Sequence, residues 1–146
     1  MPSETFVHTA TFGAPLTEAW VVLQQPETWA SIGGVDSVTN AEHDSEGNLV
    51  AYRFSASVAG KRYPGHSTVE LSRPPAHMVV KIDTSELLGS IGVRLGDSEL
   101  GGWVEVDLTV RSRSLLSGMM FPLIAASIGS GFGDRVDAFA ARLSST

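Results

Sequence analysis

Between Val35 and Ser112 apolar side chains recur at every second residue, and after Ser114 they recur at every third or fourth. Few folds accommodate both. A period of two puts alternate side chains on opposite faces of a strand, whereas steps of three and four draw one stripe along a helix. Val50, Tyr52, Phe54, Ala56 and Val58 alternate with Ala51, Arg53, Ser55 and Ser57, and Ala59-Gly60 follows as a turn. A tight two-residue turn sets Ala56 opposite Tyr63, Phe54 opposite Gly65, Tyr52 opposite Ser67 and Val50 opposite Val69, so the apolar faces coincide. Arg73-Pro74-Pro75 is a break, after which Met78, Val80 and Ile82 form the next apolar face. Ile91, Val93 and Leu95 then turn around Glu99 and Leu100 into Val104, Val106, Leu108 and Val110. Pairing Leu95 with Val104 brings Val93 to Val106 and Ile91 to Leu108. It also sets Arg94 beside Glu105 on the other face, so charge and hydropathy agree on one register.

The remainder reads as helix around that strand run. A first strand is expected over Thr5–Phe12, closed by Gly13-Ala14-Pro15. Thr17 is an expected N-cap for a helix carrying Ala19, Trp20 and Leu23, which Pro26 breaks. A short second helix starts near Pro26, is anchored by Trp29 and Ile32, and ends at Gly33-Gly34. Phe121, Ile124, Ile128, Phe132, Val136, Phe139 and Leu143 mark the final helical stripe. Pro122 suits only a first turn, so that helix is expected to start near Met119 or Met120. Gly129, Gly131 and Gly133 interrupt it, through a thinned helix, close packing on the sheet or division into two helices. The expectation is one α+β domain over residues 1–146: a seven-stranded antiparallel sheet whose apolar face the C-terminal helix covers.

The 146 residues carry a formal net charge of −6 and no cysteine. Nucleic acid and anionic lipid would be repelled on average, and no Lys/Arg cluster offers a local exception. Disulfides and thiolate chemistry are excluded, and a cytoplasmic setting is expected. Met1-Pro2-Ser3-Glu4 has no basic region ahead of an apolar run, so no signal peptide is expected. The most apolar stretch, Leu115–Ile128, is shorter than the roughly 20 residues a membrane span needs, and no integral membrane segment is expected.

The element order, with Ala14-Pro15, Glu18-Ala19-Trp20 and Pro26-Glu27-Thr28-Trp29, resembles the START/Bet v 1-like superfamily. This group is also called SRPBCC or polyketide cyclase/dehydrase proteins and has the helix-grip fold. The likeness covers essentially the whole chain. Ile32-Gly33-Gly34-Val35-Asp36-Ser37-Val38 and Tyr63-Pro64-Gly65-His66-Ser67 look like the branch of accessory proteins of carbon monoxide dehydrogenase, with Gly33 where that branch has proline. The resemblance implies a curved sheet wrapped around a long C-terminal helix, and a deep cavity between them for lipids, sterols, polyketides, hormones or quinone-like molecules. It implies no shared catalytic residue.

The expected ligand-binding residues follow from that geometry. From the strands they are Tyr52, Phe54, Tyr63, Ser67, Val69, Val80, Ile82, Val93, Leu95, Val106 and Leu108. From the helices they are Trp20, Trp29, Met120, Ile124, Ile128 and Phe132. Pockets of this kind are mostly apolar, on the order of 300–1,000 Å³, with a few orienting polar groups. Tyr52, Tyr63 and Ser67 would supply hydroxyls. An ordinary filled core is the competing reading of the same face. His8, His43, His66 and His77 lack metal-ligand spacing, Glu105 and Asp107 face outward, and Gly129-Ser130-Gly131-Phe132-Gly133 follows no strand. Neither a catalytic constellation, a metal nor a cofactor is expected. The leading function is a binder of an apolar small molecule or lipid. A cyclase or dehydratase-type enzyme comes second. An accessory module docking through Leu115–Leu123 on a partner enzyme or a membrane surface comes third, and a homodimer is left open.

Overall fold

The computed structural model describes residues 3–144 apart from 59, 100 and 114, and the side chains of 58, 98, 115–120 and 144 stand outside the description. Strand β1 (Ser3–Phe12) leads into α1 (Leu16–Val22) and α2 (Pro26–Gly33). Six strands follow: β2 (Ser37–His43), β3 (Leu49–Val58), β4 (Lys61–Arg73), β5 (His77–Thr84), β6 (Leu87–Ser98) and β7 (Gly101–Ser112). The chain then forms α3 (Leu115–Gly129) and α4 (Phe132–Ser144).

All seven strands join one antiparallel sheet in the order β1-β7-β6-β5-β4-β3-β2. The sheet curves round the helices, with α4 against β1 and α2, and α3 against β7 and β3. The expected registers hold. Tyr52 pairs with Ser67, Phe54 with Gly65 and Ala56 with Tyr63. Leu95 pairs with Val104, Val93 with Val106, Ile91 with Leu108 and Arg94 with Glu105. One face of these strands is buried against the helices: Met78, Val80, Val93, Val104 and Val106 are fully enclosed.

Four local expectations change. Val50 does not continue the inward face. Glu42 pairs with Ala51 and His43 with Leu49, so Val50 is an extra, bulged residue. A bulge exchanges the faces beyond it, and Leu49 is therefore buried while Val50 is exposed. Helix α1 begins at Leu16 with Pro15 at its N-cap, and Thr17 lies inside it. The C-terminal helix begins at Leu115 rather than near Met119, which leaves Pro122 inside α3. The proline removes one backbone donor, but its ring is exposed and the buried neighbours Phe121, Ile124 and Ala125 hold the helix to the sheet.

The predicted stripe is continuous across two helices rather than one. Gly131, at φ +79°, takes the left-handed conformation that turns the chain between α3 and α4. Gly129 has a second reason to be glycine: an added Cβ would fall 2.4 Å from the Phe6 ring. Both favoured explanations of these glycines, close packing and division, therefore apply. Among the described residues no helix is long and apolar enough to cross a membrane.

Candidate functional site

A cavity of about 110 Å³ lies between the sheet and the helices. Strands β3 to β7 supply Tyr52, Phe54, Ala56, Tyr63, Ser67, Ile82, Thr84, Leu87, Ile91, Leu108 and Val110 to its wall. The helical side and the turn after α2 supply Trp29, Gly33, Gly34, Val35, Ser127, Ile128 and Arg135. The volume is well below the 300–1,000 Å³ range expected from ligand sites in general. The physical reason is the size of the lining itself, because Trp29, Tyr52, Phe54 and Tyr63 all project into the same space.

Eight of the expected residues meet at this wall: Trp29, Tyr52, Phe54, Tyr63, Ser67, Ile82, Leu108 and Ile128. Trp20, Val80, Val93, Leu95, Val106, Ile124 and Phe132 are buried in the core away from it, and Val69 is half-buried beside that core. The Phe132 ring packs on Phe6 with centroids 6.2 Å apart. The side chain of Met120 lies outside the described residues. Alternation tells which side chains face the helices, but not where the helices leave room. Ile91 and Val110 have the same alternation as their selected neighbours and join the wall. Arg135 had no such signal, since it falls between the buried positions of an amphipathic helix.

The polar groups of the wall are few and specific. The Tyr52 phenol is almost entirely enclosed, and burial pushes its pKa up to about 12; nearby Ser67 tempers that shift. The two side chains nonetheless stop short of hydrogen-bond geometry, and Ser67 Oγ is buried without a hydrogen-bond partner. A buried hydroxyl without a partner typically costs about 1–3 kcal/mol, so Ser67 is an unmet polar demand within the cavity. Trp29 is satisfied, its indole Nε1 donating to Leu23 O at 2.7 Å.

The raised Tyr52 pKa makes stability depend on alkaline pH. Folded Tyr52 holds its proton to about pH 12, whereas an unfolded tyrosine releases it near pH 10. The folded chain binds more protons in that window, so stability is present below pH 10 and is lost as pH rises toward 12. The expected loss is roughly 2 kcal/mol. Urea titrations at several alkaline pH values should show that slope in the native chain and its reduction in Tyr52→Phe. Equal slopes in the two would refute it.

Arg135, partly buried on α4, reaches three backbone carbonyls. Nε donates to Ile32 O at 2.9 Å, Nη1 to Ser130 O at 3.0 Å and Nη2 to Ile128 O at 2.9 Å. Burial lowers its pKa. No histidine, aspartate or glutamate lines the cavity. His8 meets Asp137 at 2.8 Å, His43 meets Gln24 O at 2.9 Å and His66 approaches Asp83 at 3.9 Å. Asp107, whose pKa partial burial raises, sits on the opposite face of the sheet. Among the described residues there is no grouping of three or more metal-ligating side chains.

Solved structures share this architecture over nearly the whole chain. A START superfamily protein from Mycobacterium smegmatis superposes with a TM-score of 0.71 at 10% identity, covering 95% of this chain and 98% of that one. The chain has the START/Bet v 1 helix-grip fold. Two further structures with that fold bracket its variety. The di-domain ARO/CYC BexL from the BE-7585A biosynthetic pathway matches with a TM-score of 0.69 at 17% identity. That match covers 99% of this chain and 50% of BexL, so the chain spans half of the di-domain protein. Ara h 8.0201 matches with a TM-score of 0.52 at 17% identity, over 92% of this chain and 98% of the other. No protein-family model and no curated protein matches the sequence. At these identities the likeness extends to the helix-grip fold and does not separate its branches.

Proposed function

We propose that this domain binds an apolar small molecule or lipid segment in the cavity between the sheet and the helices. The observation that carries this reading is the buried, partnerless Ser67 hydroxyl in an otherwise mostly apolar wall. A structural core has no use for an unmet hydroxyl, whereas a ligand with one oxygen or nitrogen would satisfy it. A void of ~150 Å³ is enough for benzene, so the resting cavity suits a body of about one ring. A longer ligand needs the lining to yield. The cysteine-free chain suits a reducing, cytoplasmic setting.

Stability and binding should move in opposite directions at Ser67. Ser67→Val removes the orphan hydroxyl and fills space, so stability should rise by about 1 kcal/mol. Native mass spectrometry of the purified protein should detect a bound small molecule in the native chain and a smaller bound fraction in the variant. A fall in stability together with unchanged binding would reject the reading.

A second reading, a cyclase or dehydratase-type enzyme, has one supporting observation. The neutral Tyr52 phenol beside Ser67 could donate a proton or a hydrogen bond to a substrate carbonyl. ARO/CYC BexL shares the helix-grip fold. Docking on a partner enzyme, on a membrane surface or on a second copy would use Leu115–Leu123, where only Phe121, Pro122 and Leu123 have described side chains; Leu123 is exposed.

A further inference from the structure

We propose, on the basis of the cavity-binding reading above, that the ligand carries an anionic oxygen group, a carboxylate in the simplest case, which pairs with the Arg135 guanidinium at the helical side of the cavity. Arg135 has five N–H donors, and three are committed to Ile32 O, Ser130 O and Ile128 O. Ile32 and Ile128 lie in the last turns of α2 and α3, and Ser130 directly follows α3. Carbonyls at helix C-termini favour a cation. Their role here is to hold the guanidinium in one orientation while leaving a formal charge that dipoles do not neutralise.

Among the described residues no carboxylate forms an ion pair with Arg135. The chain as a whole is acidic, at −6, so this cation is not part of a general positive surface. Its place beside Trp29, Ile128 and Leu108 gives an incoming anion a partly water-excluded partner. Charge-assisted contacts to a preoriented guanidinium are among the stronger hydrogen bonds available. Gly34 leaves the room the group occupies: a Cβ there would stand 3.0 Å from Arg135 Cζ. Together the two polar anchors describe the ligand class. It is an apolar body with an acid at the helical side and an oxygen or nitrogen for Ser67 at the sheet side.

Benzoate and benzamide test this, because they match in size and differ in charge. Each is titrated into isotope-labelled full-length protein while the Arg135 Nε–H signal and the Ile82 and Leu108 methyl signals are followed. Benzoate is expected to bind about tenfold more tightly and to move all three signals, and Arg135→Gln is expected to equalise the two affinities. A purely structural Arg135 would leave no acid preference in the native chain, and that comparison stands even if the variant fails to fold. Equal affinities overturn the proposal and leave the cavity reading intact. Binding of neither compound, with the methyl signals unmoved, overturns both. Benzoate that shifts Arg135 but neither methyl is surface ion pairing and also overturns it.

Discussion

Trp29→Ala is expected to lower folding stability by about 3–5 kcal/mol, the range for removing a buried large aromatic. Trp29 is 1% exposed, fills the space between α2 and the sheet, and donates its indole N–H to Leu23 O. The substitution removes both the packing and the hydrogen bond, and leaves Leu23 O to find water. It also merges the vacated volume with the existing cavity, whose wall Trp29 helps to form. Collapse of the site is resisted, because the neighbouring strands are held in register by the sheet. Trp29→Phe separates the two contributions, since it keeps most of the ring volume and loses only the N–H, and should cost about 1–2 kcal/mol. Urea unfolding with an unchanged m-value measures each loss. A cost under about 1.5 kcal/mol for the alanine variant would show that the tryptophan is not a core element. The enlarged cavity should also accept bulkier ligands than the native chain does.

Gly65→Ala is expected to cost about 3 kcal/mol, the upper end of what overpacking does. A Cβ at Gly65 would lie 2.5 Å from Phe54 Cζ, 2.7 Å from Asp83 O and 2.9 Å from Thr84 Cγ2. The phenylalanine ring can swing away, but only into the cavity it lines. The Asp83 carbonyl is main chain, fixed by the pairing of β4 with β5. Alanine gains about 0.4–1 kcal/mol from a less flexible unfolded chain, which the clash outweighs. Gly13 supplies the opposite case, since a Cβ there meets nothing within 4 Å and φ is not left-handed. Gly13→Ala should therefore be neutral or slightly stabilising in the same thermal and urea unfolding assays. Matching losses at the two positions would mean that glycine's chain entropy, not the clash, governs both. Loss of ligand binding in Gly65→Ala, with Gly13→Ala unaffected, would tie the Phe54 displacement to the cavity.

Much of the fold was legible in the residues because it rests on local periodicity. Alternation at Tyr52, Phe54 and Ala56 against Tyr63, Gly65 and Ser67 determined one hairpin, and the Arg94–Glu105 match determined another. Pro26 and Gly33-Gly34 bounded α2, and the stripe from Phe121 to Leu143 announced the helical cover. Such signals depend only on which face a side chain takes, and that repeats every two or every 3.6 residues.

The tertiary structure decided what periodicity cannot carry. The bulge at Val50 exchanged it with Leu49 on the inner face, and packing on the sheet kept Pro122 inside α3 despite its missing donor. Which inward residues border a void depends on how large side chains from distant segments meet, so Trp29 and Leu108 line the cavity while Val93 and Val106 are closed over. Arg135 became a candidate site residue only once the ends of α2 and α3 converged on its guanidinium. Local chemistry along the chain settles the direction each side chain faces; the space left between converging elements is a property of the assembled whole.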